Sequence, residues 1–237
     1  MVPLLASLGA VLGALCAWPA FRLSVEFGHP PSAACRSCST TFSSWVRLNR
    51  RCGSCHAALS VNPLWTALAG AIAWGLLAWA IPVSFFLAAC LVLAAAGVVL
   101  AVIDLTVLRL PDPIVFAGLV TTAVLLALQA WSGDAWQLFG RAWLGALVCF
   151  GAYLIFGLLP GAPMGLGDVK LAGVLGLTLG YLGWGAVIIG LILPFLVNGP
   201  FAFAALVRHG RKAVSPFGPA LLAGWLATVT LLSLSIL

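Results

Sequence analysis

The sequence predicts an all-α polytopic integral membrane protein with about eight transmembrane helices and one small cysteine-bearing loop. Three observations support this fold class: of 237 residues, 63% are hydrophobic, only 7% are charged, and the mean hydropathy is +1.18. A soluble domain carries about 25% charged residues. The composition therefore excludes a soluble enzyme, a disordered chain and a nucleic-acid-binding domain, and it predicts the lipid bilayer as the main surroundings of the chain.

The apolar runs define the predicted helices, since about 20 apolar residues in a helix cross a hydrocarbon core of about 30 Å. The runs are 1–21, 63–81, 83–103, 113–131, 138–159, two runs within 169–207 that divide near 180–185, and 217–237. The first run has no basic residue before it and Arg22 after it, which favours a retained helix over a cleaved signal peptide. We expect three parts: a first transmembrane helix (1–22), a cytoplasmic loop domain (23–62) and a membrane domain of about seven helices (63–237).

The basic residues predict the orientation. With the N-terminus outside, the cytoplasmic loops are 22–62, 104–112, 160–170 and 208–216. These loops hold ten of the eleven Lys and Arg residues, and only Arg141 falls outside them. The positive-inside rule favours this arrangement. Three of the five acidic residues, Asp104, Asp112 and Asp168, then gather at the cytoplasmic face.

Four of the seven cysteines form two CxxC pairs with thirteen residues between them: Cys35, Cys38, Cys52 and Cys55. Four thiolates on one ion form a structural zinc site, and a reducing cytoplasm does not favour disulfides. A polar loop of about 40 residues has too little core to fold alone, so the metal would stabilise it as a structural or docking module. The alternatives are a redox pair or two unrelated turns. His56 could replace one ligand, but a surface position is favoured, and the remaining cysteines read as buried hydrophobic side chains.

The five acidic residues are the functional candidates, because a carboxylate at a membrane costs free energy: Glu26, Asp104, Asp112, Asp134 and Asp168. Asp104 ends the third span, where the helix dipole disfavours a negative charge, so a structural role does not explain it. Asp112 precedes Pro113, which predicts a helix N-cap. Asp168 opens the sixth span after two glycines. We expect Lys170 and Arg109 to be cytoplasmic anchors, although Arg109 could pair with a carboxylate.

Two neighbouring carboxylates can share a proton, because repulsion and burial oppose the ionisation of both. The ionised group can take a proton from water while the protonated group donates to a peptide carbonyl oxygen. This is the chemistry of aspartic proteases, which requires neither a metal nor a serine nucleophile.

These residues resemble the bacterial type IV prepilin peptidase (leader peptidase) family, membrane aspartic proteases of the GxGD class. The segment 104–112 resembles the family's D-x7-D stretch, and 165–170 is similar to its GxGDxK motif. The CxxC pairs after Pro31-Ser32 match its cysteine domain, and 215–219 resembles the Pro-Phe-Gly-Pro start of its last helix.

The resemblance implies cleavage of the short basic leader of prepilins or pseudopilins, after a glycine and ahead of the hydrophobic pilin helix, at the cytoplasmic face of the bacterial inner membrane. It implies Asp104 and Asp168 as the catalytic pair, with Gly165, Gly167, Lys170 and Asp112 as supporting motif residues. It also associates zinc with the four cysteines. Many members methylate the new N-terminus with S-adenosylmethionine. This chain has Thr66 where the family often has Glu, so that cofactor is expected only if the second reaction is retained.

Three other interpretations stay open at this point. A proton-coupled transporter would use the same membrane-edge carboxylates, but such sites usually lie near the midplane between repeats. A non-catalytic zinc-bearing factor for pilus or secretion assembly would leave Asp104 and the GLGD sequence unexplained. A presenilin-like peptidase would act on other membrane substrates.

Overall fold

The computed structural model describes residues 1–25, 30–44, 51–59, 62–159, 164–209 and 216–234. Eight helices form the described part of the chain, with no strand beyond two isolated bridges, and the all-α prediction is confirmed. They are α1 (Val2–Leu23), α2 (Pro63–Ala80), α3 (Phe85–Val107), α4 (Asp112–Ser132), α5 (Trp136–Leu158), α6 (Leu166–Leu182), α7 (Trp184–His209) and α8 (Gly218–Leu234). Residues 26–29, 45–50, 60–61, 160–163, 210–215 and 235–237 lie outside this description.

Six of these helices are long and apolar enough to cross a membrane: α1, α2, α3, α4, α5 and α7. The other two, α6 and α8, have 17 residues each. The chain is a multi-pass membrane protein. The predicted division within 169–207 falls at Gly183, whose φ of 149° ends α6 in a conformation that favours glycine.

Helix α6 lies at the centre of the bundle, and α3, α4, α5, α7 and α8 all pack against it. Every residue from Asp168 to Gly180 except Lys170 is buried. A helix that is apolar on all sides fits such a position. Because its neighbours enclose it, α6 can be short and still hold its first turn at a fixed place in the bundle.

Two helix pairs pack backbone against backbone through glycine. In α5 and α6, a Cβ added to Gly145 would lie 2.6 Å from Gly180 Cα, and one added to Gly176 would lie 2.8 Å from Gly145 O. In α1 and α2, a Cβ added to Gly13 would lie 2.1 Å from the carbonyl oxygen of Thr66. Small residues permit this approach, which drives helix association in lipid where the hydrophobic effect between helices is lost.

The predicted loop domain packs on the end of α1 in its described ranges, 30–44 and 51–59. A small apolar cluster joins the helix to this region: Trp18, Phe21, Cys35, Phe42, Cys52 and Leu59. The Trp18 indole N–H and the Arg22 guanidinium both donate to Ser44 O at 3.0 Å. The helix therefore supplies part of the core that the loop lacks. The three-part domain division remains a prediction.

Candidate active site and metal centre

Asp104 lies in the last turn of α3, and the residue is only 4% exposed. The helix runs three residues beyond it and ends at Leu108, which adopts a left-handed conformation (φ 52°, ψ 45°). The Leu108 N–H donates to Asp104 O at 2.9 Å and closes the turn. A left-handed leucine is strained, and such strain concentrates at functional sites. The turn directs residues 108–111 back toward the start of α6.

Asp168 lies in the first turn of α6 and is 8% exposed. Gly165 is the N-cap of the helix. A Cβ on Gly167 would lie 3.0 Å from Leu110 Cβ, so this glycine lets the 108–111 turn pack directly on α6. Gly165 also lies beside the carboxylate, since a Cβ there would lie 3.8 Å from Asp168 Oδ2. The second glycine thus has a packing explanation that the sequence did not provide.

One pocket of about 410 Å³ brings the two aspartates together. Its lining residues are Asp104, Leu108, Arg109, Leu110, Asp112, Gly165, Leu166, Gly167, Asp168 and Lys170. All predicted catalytic and motif residues therefore belong to one site, although 64 positions separate Asp104 from Asp168 in the sequence. The arrangement can supply one carboxylate as a base and the other as an acid at the same peptide bond.

The environments of the two carboxylates differ. Asp104 Oδ2 accepts a hydrogen bond of 2.9 Å from the backbone N–H of Gly218, the first residue of α8. Asp168 Oδ1 is buried, and no group among the described residues donates to it. Sequence reasoning assigned Gly218 to a motif but missed this contact. The only signal in the sequence was a glycine between Phe217 and Pro219 at the start of a helix.

Asp112 is not the N-cap that its position before Pro113 predicted. The cap of α4 is Pro111, and Asp112 is the first residue of the helix, without a side-chain capping bond. Its carboxylate instead accepts a hydrogen bond of 2.7 Å from Lys170 Nζ. The helix dipole still stabilises a negative charge at Asp112, because this residue lies in the first turn of α4. The prediction placed the cap one residue too late, and it did not include the partner that Asp112 finds on α6.

An apolar groove of about 630 Å³ adjoins the aspartate pocket. It runs between α4, α5 and α6, and its lining includes Phe116, Trp143 and Phe150. Asp112 and Lys170 line both the groove and the pocket. The aspartate pocket and the apolar groove are therefore neighbours that share two lining residues.

The four cysteines of the CxxC pairs form one cluster, in which all four sulfur atoms lie within 4.8 Å of one another. Cys35 Sγ and Cys55 Sγ are 3.6 Å apart, and Cys38 Sγ and Cys52 Sγ are 3.5 Å apart. Tetrahedral zinc with bonds of about 2.3 Å requires sulfur atoms about 3.8 Å apart, so the spacing fits this ion.

The backbone of each CxxC turn suits a thiolate cluster. The N–H groups of Cys55 and Ser54 lower the pKa of the Cys52 thiol to about 6, and the Thr40 hydroxyl lowers the pKa of the Cys38 thiol. Both shifts favour the thiolate that binds zinc. The pKa of the Cys55 thiol is instead raised to about 12, because the Ala57 backbone hydrogen bond that lowers it is outweighed by the neighbouring thiols and by burial. His56 is exposed, outside the four-sulfur cluster, at a left-handed turn position with φ 56°. Ser39 occupies the matching position of the first turn, with φ 59°.

The cysteine region is connected to the helix that carries Asp104. The Arg36 guanidinium donates to Ser24 O, just beyond α1. The Thr106 hydroxyl donates to Ser24 Oγ at 2.9 Å, and the Arg109 guanidinium donates to Val25 O at 3.2 Å. Residues on both sides of the left-handed turn at Leu108 therefore contact the segment that supports the cysteine cluster.

Several charged residues from the sequence analysis lie elsewhere. Arg141 donates to Gly180 O and Tyr181 O at the far end of α6. Asp134 lies in the short turn between α4 and α5. The predicted loop charges and histidine outside the described residues are Glu26, His29, Arg47, Arg50, Arg211 and Lys212. Ser215, which begins the motif at α8, also falls outside them.

Comparison with known proteins identifies the family. The profile of the type IV leader peptidase family matches residues 91–203. A prepilin leader peptidase/N-methyltransferase of Pseudomonas aeruginosa is 30% identical over 213 residues, which cover 83% of this chain and 71% of that protein. The chain belongs to the type IV leader peptidase family.

Two further relatives of this family carry the same name. The protein of Aeromonas salmonicida is 36% identical over 78% of this chain, and that of Stutzerimonas stutzeri is 31% identical over 78%. The matches cover 63% and 64% of those two proteins, so the chain spans less than two thirds of their length. No solved structure matches the chain. Family membership agrees with the resemblance drawn from the motifs.

Proposed function

We propose that this protein is an aspartic endopeptidase that removes the leader peptide of type IV prepilins or pseudopilins. The observation that carries the proposal is the shared pocket of Asp104 and Asp168, two buried carboxylates from the two family motifs. The names of the relatives, prepilin leader peptidase, support this substrate class. A transporter or an assembly factor would not require two acids to converge beside an apolar groove.

The reaction begins with a water molecule between the carboxylates and the scissile peptide bond. One ionised carboxylate takes a proton from the water as its oxygen bonds to the carbonyl carbon. The protonated carboxyl gives its proton to the carbonyl oxygen, which produces a tetrahedral diol. The C–N bond then breaks, its electron pair goes to nitrogen, and the acid formed in the first step protonates that nitrogen. One hydroxyl of the diol returns its proton to the other carboxylate as the C=O bond forms again, so the pair ends with one shared proton, as it began. The products are a carboxylic acid and a free amine.

The apolar groove fits the part of the substrate that follows the cut. In the prepilins implied by the resemblance, a hydrophobic helix comes directly after the cleavage site. Because Asp112 and Lys170 line both the pocket and the groove, a peptide bound at the aspartates passes into the groove without a break. The apolar segment then lies against α4, α5 and α6, where Phe116 is 65% exposed.

We further propose that the site faces the cytoplasm of a bacterial inner membrane, with the N-terminus outside. The distribution of the basic residues supports this orientation. A membrane-impermeant maleimide should label Asp134→Cys in intact cells and Thr41→Cys only after lysis, with the native chain as the background control. The reverse labelling pattern would overturn the orientation.

The relatives' names also contain N-methyltransferase, but our proposal covers peptide cleavage alone. Thr66 is 3% exposed, and its hydroxyl donates to Pro63 O at 3.0 Å. It offers no carboxylate at the position where the family often has Glu. Mass spectrometry of the mature N-terminus after incubation with S-adenosylmethionine tests this restriction, since a methylated product would contradict it.

Cleavage of a candidate prepilin by purified membranes tests the function. Asp104→Asn and Asp168→Asn should each abolish the gel shift of the substrate at equal protein levels. Asp134→Asn is the matched control, because it makes the same chemical change at a left-handed turn position that asparagine tolerates. If both site variants still cleave, the aspartic mechanism is wrong.

A further inference from the structure

The two aspartates of the pocket are not equivalent, and the difference originates at the start of α8. The Gly218 N–H donates to Asp104 Oδ2 at 2.9 Å, across 114 positions of sequence. The first N–H groups of a helix have no partner within the helix, and the dipole there favours a negative charge. This contact therefore stabilises the ionised form of Asp104.

Position 218 has room only for glycine, because the Asp104 side chain occupies the place of a Cβ atom. An added Cβ would lie 2.9 Å from Asp104 Oδ2, 3.2 Å from Cγ and 3.3 Å from Cβ of the same side chain. A larger residue would have to displace the carboxylate, and the hydrogen bond would lengthen or break. The close approach thus depends on the missing side chain.

The position of this amide is fixed by its neighbours. Phe217 is buried, with its ring centroid 5.2 Å from that of Phe195 and 6.0 Å from that of Tyr153. The Leu221 N–H donates to Phe217 O at 3.0 Å and begins the helix. Pro219 restricts the chain on the other side and has no N–H of its own.

We infer that Gly218 is a positioning residue for the peptidase reaction: its N–H makes Asp104 the base that activates water and leaves Asp168 as the acid. This inference rests on the proposed function. Two acids in one pocket share a proton, and the proton goes to the carboxyl that has a buried oxygen without a donor. That oxygen is Asp168 Oδ1 among the described residues, although the Gly165 backbone also hydrogen-bonds to the same carboxyl. The other charged groups that line the pocket are Arg109, Asp112 and Lys170.

Gly218→Ala tests the inference through kinetics. A hydrogen bond to a charged group is worth about tenfold to a hundredfold, so kcat should fall by about that factor. KM should change little, and the acid side of the pH profile of kcat/KM should move to higher pH. Gly224→Ala is the matched control in α8, because its Cβ would meet Pro194 at 2.8 Å and not an aspartate. It should lower stability and leave the pH profile in place. An unchanged profile in a folded Gly218→Ala protein would overturn the inference.

Infrared difference spectroscopy provides a second test that requires neither cleavage nor a folded Gly218 variant. The purified protein at neutral pH should show the C=O stretch of one protonated carboxyl. Asp168→Asn should remove this band, and Asp104→Asn should retain it. Loss of the band in Asp104→Asn alone would overturn the inference. Because the readout is independent of substrate, it separates failure of this inference from failure of the proposed function.

Discussion

The ammonium group of Lys170 lies 2.7 Å from the carboxylate of Asp112 and joins the two motifs that carry the catalytic candidates. The pair stands where the aspartate pocket meets the apolar groove. Its side chains are 47% and 62% exposed, and exposed ion pairs contribute less than about 1 kcal/mol. The pair therefore shapes the mouth of the pocket and adds little to stability.

Asp112→Asn should leave cleavage within about tenfold of the native level and change the free energy of unfolding by less than about 1 kcal/mol. The reason is that Asp112 contacts Lys170 and not the buried carboxylates. Lys170→Met and the double variant complete a thermodynamic cycle, measured by thermal unfolding in one detergent. A folded Asp112→Asn protein without any activity would assign this residue a role in the chemistry.

Gly145→Ala should destabilise the bundle, because the new methyl group would meet the backbone of α6 at 2.6 Å. Overpacking of this kind costs about 1–3 kcal/mol, and a backbone contact cannot relax as a side chain can. Gly151→Ala in the same helix is the control, since nothing lies within 4 Å of its added Cβ. It should be neutral or raise stability by up to about 1 kcal/mol. Thermal unfolding of both proteins in one detergent makes the comparison, and equal effects would contradict the backbone contact.

The cysteine cluster should hold one zinc ion per chain, measured by elemental analysis of the purified protein. Cys35→Ser and Cys52→Ser should lose the metal, whereas Cys16→Ser, in α1 and outside the cluster, should retain it. Chelation should expose 30–44 and 51–59 to proteolysis before it slows cleavage. Immediate loss of cleavage from a protease-resistant protein would show that the metal acts on the reaction itself.

Phe116→Ala should raise KM for a prepilin by about tenfold or more with a smaller effect on kcat, because burial of a phenylalanine side chain contributes about 1.5–3 kcal/mol. Phe201→Ala is the matched control, since Phe201 is 69% exposed on α7 and does not line the groove. Steady-state cleavage of one substrate by both variants gives the comparison. Equal effects of the two substitutions on KM would show that the substrate does not bind in the groove.

The helices were predictable from sequence because lipid imposes a simple requirement. Each described helix corresponds to an apolar run, and the division between α6 and α7 falls within the predicted interval. Helix ends were less accurate: α3 continues to Val107 and buries Asp104, whereas the apolar run ends at residue 103. The pattern of apolar residues along α3 cannot show that Gly218, at the start of α8, packs on the Asp104 carboxylate.

The site was predictable as a set of residues but not as a set of contacts. The GLGD and Leu-Pro-Asp sequences identified Asp168 and Asp112, and the CxxC spacing identified the four cysteines. The partner of Asp112, the donor to Asp104 and the contact of Gly167 with Leu110 all join residues that are far apart in the chain. Such contacts depend on the packing of α3, α4, α6 and α8, which no local pattern contains.

The glycine contacts between α5 and α6, and between α1 and α2, reverse the usual pattern of mutational tolerance. In a water-soluble protein, large apolar side chains are the positions least able to vary. In this chain, positions 13, 145 and 176 leave no room for an added atom, whereas many large apolar side chains are exposed. A saturation mutagenesis library should therefore recover many replacements at exposed leucines and almost none at these glycines. The smallest residues would then be the positions that tolerate the fewest substitutions.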